Sequence, residues 1–439
     1  MIKIQNKEFL ELFNKVNFWK NKLSSNDKNN FPKGWEQFKE VQLAHISILD
    51  DLVNQKYETP NYQYEKGIVI GAGGAKYFGC GIACSHILRN LGCDLPIEFW
   101  YLDEYEMDNN MKYLCDILNI KYINATQYCK DYNLNPRILN GWELKAFATL
   151  YSNFQKVLYL DADNIPAIDP SYLFDTKEFK ELGSIFWPDL PPHKRKEWLP
   201  PIVWENIGLE YRDEVDFETG QYMIDKGKCY KELCITMWMN EHSDWFYKFV
   251  YGDKSTFHLT WRKCGSNYGI PTRKAGWKHP CILQYDLDGK LVFQHACQGK
   301  ELMFSGTGPS NQYNHHLIKE AKELRDKYWS GIIYSWQEMN EEEKNIAKNL
   351  IGKFRYTRVN LDARDMYLAD NGQITQGQAK CERRWSVRII DNIPTIVVIG
   401  AVHKDSEIAM FFAKDDGSGK RFIGQWTGFE RCNIILWRS

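Results

Sequence analysis

Val157-Leu158-Tyr159-Leu160 is an apolar run of strand-forming residues that leads directly into Asp161-Ala162-Asp163-Asn164. Such a run reads as a buried strand, and its end carries two carboxylates. Side chains alternate along an extended chain, so Asp161 and Asp163 share a face and can grip one cation. Two hard oxygen ligands suit Mn2+ or Mg2+, ions that keep coordination positions open for substrate phosphates. Alone, the pattern would equally describe an acidic turn closing a core strand. Its neighbours add weight. Upstream, Asn140–Tyr151 reads as a helix with Leu144, Phe147, Ala148 and Tyr151 on one apolar face. Lys145 flanks that face and could bend toward the strand end to meet a phosphate; a solvated surface lysine is the plainer reading. Downstream, Asn164-Ile165-Pro166 and Asp169-Pro170 stop the strand and turn the chain.

The chain has 439 residues, room for two or three domains with ample core. Its net charge of -1 gives no general pull toward nucleic acid or anionic membrane. Sixteen Trp in a 15% aromatic composition suit sugar-handling surfaces, though a generous core would use them too. Twelve Cys without a CxxC pair show no zinc ribbon or redox motif, and their scatter suits reduced thiols. The polar start Met1–Glu8 and the lack of an apolar run near the roughly 20 residues needed to span a bilayer predict a cytoplasmic protein, bacterial or viral.

In chain order, residues 1–60 read as a helical cap. One amphipathic stretch holds Phe9, Leu10, Leu12, Phe13, Val16 and Phe18, another runs from Trp35 to Leu52, and Ser24–Gly34 links them. Residues 61–335 read as the catalytic domain. Strand Ile68-Val69-Ile70 breaks into Gly71-Ala72-Gly73-Gly74, and a helix follows through Ile82 to Leu91. Glycines at such a turn let backbone approach a nucleotide, whose phosphates the helix-start amides favour. The G-x-G-x-x-G spacing is not kept, so a plain tight turn is equally compatible. Strand Pro96–Tyr101, helix Asp108–Leu118 and strand Ile120–Asn124 continue a βαβα rhythm that predicts an α/β fold with a mostly parallel sheet. Ile185–Trp187 is a further strand, and the Pro-rich, basic loop 188–201 is placed to cover a donor or meet an acceptor. Strand Phe217–Ile224 puts Glu218 and Gln221 on opposite faces. His295 ends strand Leu291–Phe293 and offers an imidazole as a third Mn2+ ligand; a structural histidine is the alternative. Residues 350–439 alternate in short runs (Tyr356–Leu361, Trp385–Ile390, Thr395–Val402, Ile408–Ala413, Arg421–Trp426, Cys432–Trp437), predicting a small antiparallel β-barrel or sandwich of accessory role.

Trp142–Phe174, with Lys145-Ala146, Leu160–Pro166, Asp169-Pro170 and Leu173-Phe174, closely resembles the α-mannosyltransferase family of fungal Golgi enzymes. Gly67–Tyr77, Phe217–Gln221 with Ile224–Lys226, Gly252–Phe257 and Phe293–His295 match in the same order, so the resemblance covers roughly residues 65–310. It implies a retaining, metal-dependent sugar transferase of the glycosyltransferase A fold. Asp161, Asp163 and His295 would be metal ligands. Gly71, Gly73, Gly74, Lys76, Tyr77, Lys145 and Lys300 would meet the nucleotide sugar. Glu218 would orient an acceptor hydroxyl, Gln221 would touch the donor sugar near the reacting carbon, and Asp253 would hold the sugar hydroxyls or sit near that carbon. The family's enzymes carry an N-terminal membrane anchor, and the polar start Met1–Glu8 predicts none here.

The leading expectation is therefore transfer from GDP-mannose or a UDP-sugar to an acceptor glycan or other hydroxyl, without membrane insertion. A hydroxymethylated DNA base in a phage or virus is an alternative acceptor. Two other classes compete with it: a haloacid-dehalogenase-like phosphatase, which would want Thr or Val where this chain has Ile165, the acidic motif near the domain start and a later Lys–acid pair that this chain lacks, and a non-catalytic glycan-binding protein.

Overall fold

The computed structural model describes residues 31–192, 197–401, 406–427 and 432–438. The amphipathic stretch at 9–18 lies outside these residues. Phe31–Asn54 is one helix, so the expected linker Ser24–Gly34 is already helical from Phe31. Val41, Ala44, Ile48, Leu49 and Leu52 form its buried face, against Trp238, Met239, Trp245 and Phe246.

The main sheet explains the apolar runs. Strands β1 (Tyr64–Gly71), β2 (Ile97–Tyr101), β3 (Lys121–Asn124) and β4 (Phe154–Asp161) are parallel to one another. After β5 (Asn164–Pro166), strands β6 (Ser184–Pro188) and β7 (Phe217–Asp225) extend the sheet antiparallel, giving the order β3-β2-β1-β4-β7-β6. Ile68, Ile70, Leu158 and Leu160 pack on one face, against the helix Gly74–Asn90. Val69, Val157 and Tyr159 pack on the other, against Leu144 and Phe147 of the helix Glu143–Tyr151. A strand covered on both sides has no polar face to show, which is why β1 and β4 read as unbroken hydrophobic runs.

A second sheet brings in a distant part of the chain. Strands β8 (Gly276–Lys278), β9 (Cys281–Tyr285) and β10 (Leu291–His295) join β5 in the order β5-β10-β9-β8. In that register His295 lies opposite Asn164. The remaining strands are β11 (Gly352–Arg358), β12 (Asp362–Leu368), β13 (Ile374–Gln376), β14 (Glu382–Ile390), β15 (Ile393–Gly400), β16 (Ile408–Asp415), β17 (Arg421–Trp426) and β18 (Asn433–Trp437). They form one antiparallel sheet, β13-β12-β11-β18-β17-β16-β15-β14. A bridge between Gln373 and Arg384, with the Trp385 amide donating to Gly372 O at 2.8 Å, brings its two ends together. The sheet is thus a barrel rather than a sandwich, filled by Phe354, Tyr356, Trp385, Phe411 and Trp426. The class is the expected one, an α/β core with helical and antiparallel-β additions.

The barrel touches the glycine turn. The Ala75 amide donates to Glu407 O at 2.9 Å and the Lys76 amide to Ser406 Oγ at 3.0 Å. Gly74 has φ +73°, and a Cβ there would lie 2.4 Å from Ser406 Oγ. The Ala75 and Lys76 amides therefore have protein partners, so these two are not free for a phosphate as the nucleotide-site expectation would have them.

Candidate functional site

Four strand ends meet at Asp161. Register places it beside Gly71 of β1, and its neighbour Leu160 beside Gln221 of β7. The chain then turns into β5, and the Ala296 amide donating to Asp163 O at 2.9 Å ties the end of β10 to the acidic pair. One ligand atom each from Asp161, Asp163 and His295 lie within 4.8 Å of one another. His295 Nε2 stands 3.3 Å from Asp163 Oδ2 and 3.7 Å from Asp161 Oδ2.

The other imidazole nitrogen, Nδ1, sits 3.0 Å from Glu218 Oε1. That carboxylate is saturated. Oε1 also accepts the Gly220 amide at 2.7 Å, and Oε2 accepts Gln221 Nε2 at 2.6 Å and Gln284 Nε2 at 3.4 Å. Gln221 is in turn fixed by Asn164 Nδ2, which donates to its Oε1 at 3.0 Å. A carboxylate behind a histidine sets the tautomer and orients the far nitrogen for a metal. Gly220 permits this arrangement, because a Cβ there would lie 2.4 Å from His295 Nδ1.

Two lysines flank the acids. Lys145 Nζ lies 3.1 Å from Asp161 Oδ1 and 3.4 Å from Asp253 Oδ2, and donates to Thr219 O at 3.0 Å. Thr219 Oγ1 donates to Asp253 Oδ2 at 3.0 Å. Lys300 Nζ lies 3.0 Å from Asp163 Oδ2 and donates to Cys297 O at 3.2 Å. Burial disfavours charge on Asp163, but His295 and Lys300 outweigh it and hold its carboxyl well below the usual range. Burial likewise opposes ionisation of Glu218, and His295 with Gln221 and the Gly220 amide brings its pKa down to about 2. Burial lowers the His295 pKa, yet Glu218 and Asp163 more than reverse that and raise it well above its ordinary value.

The donor set fits a divalent cation. It offers two carboxylates and an imidazole nitrogen already oriented from behind, the hard oxygen–nitrogen mixture that Mn2+ accepts. Asp163 Oδ2 is buried between Lys300 Nζ at 3.0 Å and His295 Nε2 at 3.3 Å, so two cationic groups already face the oxygen that an ion would share.

Residues 65–216 and 209–281 match the family model described as "Mannosyltransferase putative". The chain belongs to this mannosyltransferase family. It is 30% identical over 204 residues to alpha-1,2-mannosyltransferase MNN21 of Candida albicans, covering 44% of this chain and 30% of that protein. Over 322 residues it is 22% identical to alpha-1,2-mannosyltransferase MNN5 of Saccharomyces cerevisiae, covering 58% and 54%. The chain thus spans between about a third and a half of the length of these curated relatives. Among solved structures, galactosyltransferase LgtC superposes with a TM-score of 0.37 at 14% identity, covering 63% of this chain and 99% of that one.

The family's region of the chain contains Asp161, Asp163, Lys145, Glu218, Gln221 and Asp253; His295 and Lys300 lie just beyond it and are brought in by β10. Glu218 and Gln221 do not point to opposite faces as the strand pattern predicts. The β6–β7 register shifts between Phe186 and Trp187, and the two side chains bond to each other. Nor does Glu218 look onto open space for an acceptor: its oxygens are spent on His295, Gln221 and Gly220. Asp253, expected near the sugar, is bound to Thr219 and Lys145. Lys76 is paired with Glu301, and Tyr77 packs beside the core. Gly71 sits at the end of β1, where a Cβ would lie 3.0 Å from Tyr159 OH, and a Cβ on Gly73 would run into Glu106. Sequence reasoning missed Asn164 and Thr219, each beside a residue it did select, and Gln284, which gave no signal.

Proposed function

We propose that the protein is a metal-dependent glycosyltransferase that moves a mannosyl residue from GDP-mannose to a hydroxyl of an acceptor glycan, with retention at the anomeric carbon. The Asp161–Asp163–His295 ligand set, backed by Glu218 within a mannosyltransferase-family chain, carries this reading. A divalent cation held by Asp161, Asp163 and His295 Nε2 would supply Lewis acidity toward the departing diphosphate.

The chain's own groups do the rest. Lys300, with one carboxylate partner among the described residues, is placed to offset charge building on the leaving phosphate. Lys145 is shared among Asp161, Asp253 and Thr219, so it chiefly fixes the Asp161 carboxylate. Glu218 is fully hydrogen-bonded, which argues against a role as base or nucleophile. In the retaining scheme the acceptor hydroxyl attacks the face that the nucleoside diphosphate leaves, and its proton passes to an oxygen of the leaving phosphate. Binding that holds the two together supplies the rate by proximity. A reducing, cytoplasmic setting belongs to the same proposal and is supported by the buried thiols Cys80, Cys84 and Cys115.

Nucleoside diphosphate release tests the reading. GDP is expected from GDP-mannose with Mn2+ and an α-mannooligosaccharide, and not with EDTA; UDP-glucose run in parallel reads the base and sugar. No release from any sugar nucleotide with Mn2+ or Mg2+ would overturn it.

A further inference from the structure

Two large aromatic side chains stand exposed beside the acidic cluster without an assigned role: Trp142 at 51% and Tyr251 at 80% exposure. Their ring centroids are 5.7 Å apart, and Tyr247 lies behind Trp142 at 5.9 Å with its hydroxyl anchored on Asn240. Gly252 makes this grouping possible. It has φ +73°, and a Cβ on it would approach Trp142 Cε3 to 3.1 Å, so the backbone slides beneath the indole. The next residue is Asp253, and Trp142 lies one helical turn before Lys145, whose ammonium holds Asp161. The aromatic pair therefore borders the Lys145–Asp253 end of the cluster.

The two ends of the cluster differ in charge. At one, Lys300 has a single carboxylate partner among the described residues and suits a diphosphate. At the other, Lys145 is already neutralised by Asp161 and Asp253, so a further anion gains little there and a neutral ligand is favoured. Two exposed amphipathic rings beside carboxylates suit a pyranose, whose apolar C–H face stacks on aromatics while its hydroxyls reach polar groups. Resting on the mannosyltransferase reading, we infer that Trp142 and Tyr251, backed by Tyr247, form the shelf on which a hexopyranose of the acceptor glycan lies. Trp142 and Tyr251 are then acceptor-positioning residues for the transfer.

The test uses the full chain with Mn2+ and a short α-mannooligosaccharide, comparing wild type with W142A, Y251A and W142F. Oligosaccharide binding is read by saturation-transfer NMR, GDP affinity by calorimetry, and turnover by GDP release with and without acceptor. The expected result is a rise in acceptor Kd and KM on the order of tenfold in W142A and a smaller rise in Y251A. W142F should recover most of the loss, while GDP affinity and acceptor-free donor hydrolysis stay unchanged. Unchanged oligosaccharide binding in W142A overturns the shelf. So does a selective loss of GDP affinity, which would make it a base-stacking site, or wild-type dimers that W142A dissolves, which would make it a contact between copies. If the wild type releases no GDP yet binds the oligosaccharide through Trp142, the transferase reading fails and the shelf stands.

Discussion

Glu218→Gln separates two roles for one residue. Were Glu218 an acceptor-side group, the substitution would slow transfer and leave metal binding alone. The structure puts it behind His295, where its charge and its Oε1 contact at 3.0 Å orient the ligand nitrogen. A hydrogen bond to a charged group contributes about 1.5–3 kcal/mol, and loss of a group supporting a metal ligand costs about 10–100-fold in affinity. At about 1.4 kcal/mol per tenfold, the two scales agree. The isostere is not innocent. A carboxamide in place of Glu218 that keeps its oxygen toward Gly220 N and His295 turns its NH2 against the Gln221 amide, itself fixed by Asn164. The expected Mn2+ affinity, titrated through the electron paramagnetic resonance signal of free aqueous Mn2+, is one to two orders of magnitude weaker than wild type. A folded E218Q that binds Mn2+ within twofold of wild type, whatever its turnover, refutes the assignment.

Asp163→Asn removes a buried ligand oxygen. Wild type is expected to gain thermal stability from Mn2+, about 2.7 kcal/mol at a hundredfold excess over Kd, and D163N to gain none in the same melt. Gly220→Ala forces a methyl against His295 Nδ1, so the variant should fold but lose metal affinity at least as far as E218Q, by the same titration. Burial raises the Glu214 carboxyl, but hydrogen bonds from His258 and Arg262 outweigh it and hold its pKa near 2 against an ordinary 4.5. As pH falls the unfolded chain takes that proton first. The stability lost in E214Q should therefore be full above about pH 4.5 and shrink toward zero as pH approaches 2, measured as paired denaturant midpoints. A gap independent of pH would show that the loss is steric.

The acidic pair, the parallel strands and the barrel were legible because each rests on a local pattern: an apolar run ending in Asp-x-Asp, strand–helix alternation, and short alternating runs. The site's supporting contacts were not. Glu218 meets Gln221 only because of a register shift between β6 and β7, which a period of two cannot register. The seal on the glycine turn comes from Ser406 and Glu407, more than 300 residues downstream, and no local rule anticipates a partner at that distance. Strand β12 escaped notice because Asp362, Arg364 and Asp365 break its hydrophobic alternation, their charges paired with Arg358 and Arg355 of β11 and Glu382 of β14.

The charges of the cluster would favour a cation there. Asp161, Asp163, Glu218 and Asp253 set four carboxylates against two ammonium groups, Lys145 and Lys300, and one raised-pKa imidazole, His295. With the imidazole protonated the group is left one negative charge in excess, largely out of water, a state that burial penalises. Exchanging that proton for a dication on the same Nε2 would bring the cluster to neutrality. Glu218 matters to both states, because its contact at Nδ1 holds the ring whichever ion occupies the other side. Metal binding would then release a proton, so Mn2+ is expected to compete with hydrogen ion for one nitrogen and to bind more tightly as pH rises. A Mn2+ affinity unchanged between pH 6 and pH 8 would mean that the ion is held by the two aspartates alone and that His295 has another purpose.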